Sequence, residues 1–309
     1  TPLYSSAASD VYKRQFIGKP NTGKSNILES IGIFSSSFRN LKDFIRFENM
    51  TNLFHDNEIS EKITIIFDDV ECEIKFDRGI FKGEIGDKDK KIFNFTFQSD
   101  YRGELIDPVV RSGISLFRFY RFEVVDKFFT PEFDFLLPPR GENLLQILLM
   151  NKELRKLVAD ILSEFGLKIV LKPSELRIEI QKEIDAVIIS HPYSMVSDTL
   201  QRVIFHLVAI ETNKDSVIIF EEPESHAFPF YTKYLAERIA FDETNQYFIS
   251  THNPYFLLSL VEKAPKESIA VFVTYLEDYK TKVKLLSEEE LSKVLDLDAS
   301  VFFNLDKFL

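Results

Sequence analysis

Residues 18–25 read Gly18-Lys19-Pro20-Asn21-Thr22-Gly23-Lys24-Ser25, and the helical pattern Asn26-Ile27-Leu28-Glu29-Ser30-Ile31 follows directly. This stretch fits G-x-x-x-x-G-K-[ST], in which glycines let backbone N–H groups curl around phosphates at a helix N-terminus. Lys24 would reach the terminal phosphates of a nucleotide, and the Ser25 hydroxyl would bind Mg²⁺. We therefore predict a phosphate-binding loop, or P-loop, that opens a helix. The alternative is a glycine turn that merely caps a helix.

A second informative stretch is the apolar run that ends in acids, Ser216-Val217-Ile218-Ile219-Phe220-Glu221-Glu222-Pro223. Such a β-branched and aromatic run is typical of a buried parallel strand, which delivers its last residues to a ligand at the carboxyl edge of the sheet. Glu221 would hold Mg²⁺ through water, and Glu222 would polarise a water that attacks the γ-phosphate. The alternative is a strand that ends in solvated acids.

Two further stretches flank this run. Residues 246–254 read Gln-Tyr-Phe-Ile-Ser-Thr-His-Asn-Pro, which predicts another buried strand with His252 at its end, although a lone histidine is more often structural. Upstream, Ser197-Asp198-Thr199 precedes an apolar face at helical spacing, and Ser197 or Asp198 can cap that helix.

In this order, the motifs resemble an ABC-type ATPase head, and within that class the chain is similar to AAA-family ATPases of the OLD, SMC and RecF-like group. The resemblance covers residues 16 to about 260. It implies an α/β P-loop NTPase fold of the ABC-ATPase head type, with a mixed central sheet, an antiparallel β subdomain and a helical lid insertion.

The resemblance also implies roles for the motif residues. Residues 18–25 are similar to Walker A, Glu221 and Glu222 to the Walker B acids, and His252 to the switch histidine that contacts the γ-phosphate. Ser197-Asp198-Thr199 is similar to the signature motif, whose serine binds the nucleotide of a second subunit. The implied catalytic residues are Glu222 and His252, and the implied metal ligands are Ser25 and Glu221. The implied nucleotide-binding set is Gly18, Lys19, Pro20, Asn21, Thr22, Gly23, Lys24, Ser25, Asn26, Ser197 and Asp198.

By this resemblance we expect a slow ATPase that uses ATP and Mg²⁺, dimerises on ATP and acts as a switch for an effector protein, in the manner of bacterial defence systems. An ATP-sensing scaffold with little turnover is a second hypothesis, because Asp198 and Thr199 follow the signature serine where glycine is usual and Glu221 replaces aspartate. A RecF-like DNA-binding repair ATPase is a third. The net charge of −11 supplies no global basic field to attract nucleic acid.

The composition indicates a globular protein. At 309 residues and 45% hydrophobic content, the chain can bury a large core. The single Cys72 excludes an internal disulfide and a multi-cysteine metal site, and we expect it to be a buried apolar residue. Because no apolar run is long enough for a membrane span and no secretory pattern is present, we expect a cytoplasmic location and no membrane partner.

The chain divides into four predicted segments. Residues 5–15 resemble a translated sequencing adapter, so 1–15 are predicted to be non-native, a polar arm being the alternative. Residues 16–100 would form the P-loop and antiparallel β subdomain, 101–196 the helical insertion, and 197–309 the second half of the head with its tail. Periodicity predicts helices over 142–150 and 151–165, with Asn151 as N-cap, and strands over 62–67, 71–76, 80–83, 92–97, 167–171, 176–180 and 186–189.

Overall fold

The computed structural model describes residues 12–37, 41–87, 92–104, 106, 110–111, 116–131 and 133–309. They contain the strands β1 (Lys13–Gly18), β2 (Ile63–Phe67), β3 (Val70–Asp77), β4 (Ile80–Asp87), β5 (Ile92–Ser99), β6 (Val110–Arg111), β7 (Phe117–Tyr120), β8 (Lys168–Lys172), β9 (Arg177–Ile184), β10 (Val187–Pro192), β11 (Val217–Glu221), β12 (Gln246–Ser250), β13 (Ile269–Glu277) and β14 (Lys280–Leu285). The α-helices are α1 (Lys24–Gly32), α2 (Leu144–Met150), α3 (Lys152–Ser163), α4 (Asp198–Thr212), α5 (Pro229–Phe241), α6 (Pro254–Lys263) and α7 (Glu288–Leu297).

The chain separates into two compact units. Unit 1 comprises Thr1–Lys24 and Tyr120–Leu309, and unit 2 comprises Ser25–Phe119. The boundary therefore falls inside the first turn of α1, immediately after Lys24.

The main sheet of unit 1 contains the strands β14-β13-β1-β12-β11 in this order. β1 pairs in parallel with both β12 and β13, and β12 pairs in parallel with β11. β13 and β14 form an antiparallel hairpin. Phe16 and Glu221 both lie opposite Ser250, so β1, β12 and β11 end at the same edge of the sheet.

The parallel strands form the centre of the unit 1 core. Ile218, Phe220, Tyr247 and Ile249 are fully buried, as the apolar runs 217–220 and 247–249 predict. Helices α4, α5 and α6 contribute their apolar faces to the same core. The predicted buried parallel strands around 216–223 and 246–254 are therefore confirmed as β11 and β12.

A smaller antiparallel sheet in unit 1 has the order β10-β9-β8 and follows α2 and α3 in the chain. These elements confirm the predicted helices and strands of the insertion, and Asn151 caps α3 by accepting a hydrogen bond from Leu154 N at 3.0 Å. Helix α2 starts at Leu144, two residues later than expected. Asn143 stands just before the helix, but its side chain does not cap α2. It binds the preceding loop, where it accepts a hydrogen bond from Leu137 N at 2.7 Å and donates one to Phe135 O at 2.9 Å.

Unit 2 contains a five-stranded antiparallel sheet in the order β2-β3-β4-β5-β6. This order of sequential neighbours confirms the predicted antiparallel meander. Cys72 is fully buried on β3, and burial raises the pKa of its thiol far above the usual range. It therefore behaves as an apolar side chain, as its sequence context predicts.

The start of β1 differs from the expected boundary at residue 16. Lys13, Arg14 and Gln15, which we assigned to a non-native segment outside the fold, extend β1 between β12 and β13. Backbone pairing on both sides holds these residues in the sheet whatever their side chains. Their burial is unfavourable, because desolvation lowers the pKa of Lys13 and neither polar atom of the Gln15 amide has a partner among the described residues. The origin of segment 1–15 stays a prediction, and residues 1–11 lie outside the described chain.

We predict that Gln15→Val stabilises the protein, because a buried amide without hydrogen bonds costs about 1–3 kcal/mol and valine suits a central parallel strand. Urea unfolding would measure the gain in free energy of unfolding. Gln181→Val on the half-buried strand β9 is the matched control, with an expected change under about 0.5 kcal/mol. A lower stability for Gln15→Val would contradict this account.

Candidate functional site

At two positions of the loop between β1 and α1, there is no space for a side chain, so glycine is required. A Cβ atom at Gly18 would lie 2.2 Å from Thr274 Oγ1 and 2.7 Å from the Thr274 carbonyl oxygen on β13. Gly23 has a φ of +89°, and a Cβ there would lie 2.0 Å from Thr281 Oγ1 on β14. The loop therefore packs closely against the β13–β14 hairpin.

Lys24 folds back over this loop. Its ammonium donates hydrogen bonds to Gly18 O at 2.9 Å and Lys19 O at 3.0 Å. Desolvation lowers the pKa of Lys24, and the charge of Glu222 partly offsets the effect. The cation is thus held within the curl of the loop, in the position from which it could meet phosphate oxygens.

The other loop residues divide into a buried and an exposed set. Thr22 is buried and its hydroxyl donates to Lys19 O at 2.8 Å, while Thr22 Oγ1 lies 2.6 Å from Thr274 Oγ1. Lys19, Pro20 and Asn21 are exposed, and Lys19 forms an ion pair with Asp306 at 2.7 Å. The outer part of the loop therefore faces solvent.

The turns after β11 and β12 bring two more predicted site residues to this edge. His252 Nε2 lies 3.3 Å from Glu222 Oε1, and each side chain is 40% exposed. The pKa of His252 is lowered by desolvation first and by the charge of Lys24 second, and Glu222 partly offsets both. Lys24, Glu222 and His252, which are far apart in the sequence, therefore interact electrostatically in one place.

Glu221 ends β11 and has a partner that sequence reasoning missed. Its Oε2 lies 3.5 Å from Nη2 of Arg121, and both side chains are largely buried. Arg121 directly follows β7 in the chain, and no motif in the sequence marks it. The carboxylate proposed for Mg²⁺ is therefore paired with a guanidinium.

Sequence reasoning assigned no separate role to Glu224 or Thr251, which lie beneath the exposed site. Both are buried, and the Thr251 hydroxyl donates a hydrogen bond to Oε1 of Glu224. Glu224 comes directly after Pro223, which ends the apolar-and-acidic stretch, but nothing local in the sequence indicates that Thr251 is its partner.

The predicted signature residues lie at the start of α4. Ser197 is the N-cap and accepts a hydrogen bond from Leu200 N at 3.4 Å, as its position predicts. Asp198 pairs with Arg202 at 2.7 Å, and the Thr199 hydroxyl donates to His226 O at 2.7 Å. In the described part of the chain, Ser197 contacts Leu200 and Asp198 contacts Arg202, and neither of these contacts involves Lys24, Glu222 or His252.

Ser25 and Asn26 follow Lys24 in the first turn of α1 and belong to unit 2. Ser25 is half-buried and Asn26 is exposed. The described residues contain no group of three or more His, Cys, Asp or Glu side chains that could hold a metal by themselves. Mg²⁺ commonly takes one or two protein ligands plus phosphates and water, so Ser25 and Glu221 remain the predicted ligands.

No protein-family model matches the chain, and no curated protein matches its sequence significantly. Among solved structures, an SMC head bound to the C-winged helix domain of ScpA is 12% identical, with 92% of this chain and 93% of that chain covered and a TM-score of 0.48. The SMC head domain from Thermotoga maritima is 12% identical, with 90% and 91% covered and a TM-score of 0.38.

An ATP-binding cassette of an ABC transporter, in its ADP conformation, is 14% identical, with 96% of this chain and 87% of that chain covered and a TM-score of 0.36. Such identities and TM-scores are too low to transfer an activity, a ligand or a partner. No described helix is both long enough and apolar enough to cross a bilayer.

We predict that Gly23→Ala weakens nucleotide binding at least about tenfold, because the methyl group would displace the loop N–H groups, each worth roughly 1.5–3 kcal/mol to a charged acceptor. Calorimetric titration with Mg·ATP would measure the loss. Gly166→Ala is the matched control, since Gly166 has a φ of +67° and open space around its Cβ position. The control should lose about 1–2 kcal/mol of stability and keep its affinity. If both variants bind Mg·ATP with equal affinity, the loop is not part of the nucleotide-binding site.

Proposed function

We propose that the protein binds ATP with Mg²⁺ at the carboxyl edge of β1, β12 and β11 and hydrolyses it slowly. One observation carries this proposal: Lys24, Glu222 and His252 converge at the ends of three adjacent strands, beside a glycine loop with close backbone packing. Ligands of parallel α/β sheets bind at this edge. The motif order that resembles an ABC-type ATPase head supports the same conclusion.

The phosphate groups would be bound by the loop and Lys24. The Lys24 ammonium now donates to two loop carbonyl oxygens, and terminal phosphate oxygens are stronger, charged acceptors for the same N–H groups. Ser25 and Glu221 would hold Mg²⁺, which supplies positive charge between the phosphates. Asn26, which follows Ser25, belongs to the proposed nucleotide-binding residues.

Hydrolysis would depend on Glu222 and His252. A carboxylate at the end of β11 can act as general base toward a water aligned with the γ-phosphate. Because its pKa lies below the ordinary value of 6.5, His252 is neutral at pH 7 and carries one N–H donor. That single N–H can be donated either to Glu222, as the distance of 3.3 Å allows, or to the γ-phosphate once a nucleotide is bound.

The same proposal includes an ATP-dependent homodimer that switches an effector protein, in a cytoplasmic defence role. Ser197 and Asp198 stand at the exposed start of a helix, where N–H groups attract anions. The phosphate of a nucleotide held by a second copy would fit that position. Hydrolysis would then remove the contact that closes the dimer.

A second candidate function is an ATP sensor that turns over little. The ion pair between Arg121 and Glu221 favours it, because a resident cation competes with Mg²⁺ for the carboxylate. A RecF-like DNA-binding ATPase has weaker support, given the net charge of −11. Duplex DNA would then stimulate ATP hydrolysis, and this stimulation would decrease steeply with salt concentration.

We predict that Glu222→Gln binds Mg·ATP with near wild-type affinity but hydrolyses it about 10²–10⁴-fold more slowly, because the amide cannot accept the proton of water. Gel filtration with ATP should show a larger dimer fraction for this variant. Glu262→Gln, at an exposed position on α6, is the matched control and should behave as wild type. Full hydrolysis by Glu222→Gln would exclude this residue as the base, and an unchanged elution volume would reject the dimer.

The rate should also depend on pH through His252. Since its pKa is lowered in the folded protein, the imidazole loses its proton below pH 6.5 as pH rises and is neutral above that value. We predict that kcat/KM, which reports groups of the free enzyme, is level from pH 8 to about 6.5 and falls at lower pH as His252 becomes charged. A fall in kcat/KM with a midpoint above pH 6.5 would exclude His252 as its cause.

A further inference from the structure

A buried carboxyl group lies under the candidate site, and among the described residues it forms no ion pair. Glu224, in the turn between β11 and α5, is 4% exposed. Its Oε1 accepts the hydrogen bond from the Thr251 hydroxyl, and its Oε2 accepts none from the described residues. Burial raises the pKa of this carboxyl to about 7, and the Thr251 hydroxyl and the nearby N–H groups of Glu224 and His252 partly offset the shift.

Thr251 connects this carboxyl group to the rest of the edge. It is fully buried, and its backbone N–H donates to Phe16 O on β1 at 3.2 Å. Its hydroxyl oxygen accepts a hydrogen bond from Asn253 N at 3.0 Å while the same hydroxyl donates to Glu224. His252 lies between Thr251 and Asn253, so the residues on both sides of the histidine are fixed through one hydroxyl group.

Two hydrogen bonds thereby join the segments that follow β11 and β12. In the first, Glu222 N donates to Ser250 O at 3.0 Å. In the second, the Thr251 hydroxyl donates to the Glu224 carboxyl group. An apolar side chain of similar volume at position 224 would avoid the cost of a buried polar group. It would, however, remove the hydrogen bond between Thr251 and Glu224 and leave the Thr251 hydroxyl without its acceptor.

We propose that Glu224 is a positioning residue that acts through Thr251 to hold His252 beside Glu222. The inference rests on the proposed ATP hydrolysis for its consequence, but the contact it describes exists in the protein without nucleotide. Glu224 is buried, so it is not one of the exposed groups of the candidate site. Its effect is on the relative placement of the two turns that carry the proposed catalytic groups.

Two neutral variants of similar volume separate positioning from packing. Glu224→Gln keeps a carbonyl acceptor for the Thr251 hydroxyl, whereas Glu224→Leu removes it, and both remove the same ionisable group. We expect Glu224→Gln to keep kcat within about threefold and Glu224→Leu to lose at least about tenfold in kcat, at similar KM and equal or higher thermal stability. A purely structural role predicts instead that activity follows stability, and that result would overturn the proposal.

The pKa of His252, measured by NMR on the protein without nucleotide, is an independent test. Wild type and Glu224→Gln should both show a pKa below 6.5, whereas Glu224→Leu should shift it toward 6.5 as the imidazole gains solvent. His55 and His191, which are far from Glu224 in the sequence, serve as internal controls. Identical His252 titrations in all three proteins would overturn the positioning role. If wild type shows no ATP hydrolysis, the proposed function fails, and the titrations still decide the role of Glu224.

Discussion

The parallel pairing of β1 with β12 on one side and β13 on the other is the constraint on which the candidate site depends. Because β12 also pairs in parallel with β11, the three strands end at one edge, and the groups that follow them must meet. No contact between Lys24, Glu222 and His252 is needed to create this arrangement. Backbone hydrogen bonds in the sheet bring the three together, and shorter-range contacts then adjust their orientation.

Much of this could be predicted from sequence, because the relevant signals are local. The two glycines of the loop reflect a lack of space for side chains, and the apolar runs before Glu221 and Ser250 reflect burial on both faces of a sheet. Ser197 and Asn151 were found as helix caps because a capping side chain acts within three residues. The predicted start of α2 at residue 142 was wrong. The Asn143 side chain binds the preceding loop, and the helix starts at Leu144.

The remaining features depend on residues distant in sequence. Neither the pairing of Arg121 with Glu221 nor that of Thr251 with Glu224 has a spacing rule, since each exists only once the strands are assembled. The burial of Lys13 and Gln15 is the clearest example. The resemblance of residues 5–15 to a translated adapter set these polar residues apart from the predicted fold, yet their position between two parallel neighbours includes them in β1. The Gln15 amide is left without partners among the described residues.

The ion pair between Arg121 and Glu221 has a thermodynamic consequence. The backbone N–H of Arg121 donates to Pro139 O at 2.9 Å, so the guanidinium extends from an anchored segment. A metal ion that takes Glu221 must weaken this pair, and a phosphate oxygen is the natural replacement partner for the arginine. Metal and phosphate would then each increase the affinity for the other by the same factor, and neither alone would fully satisfy both side chains.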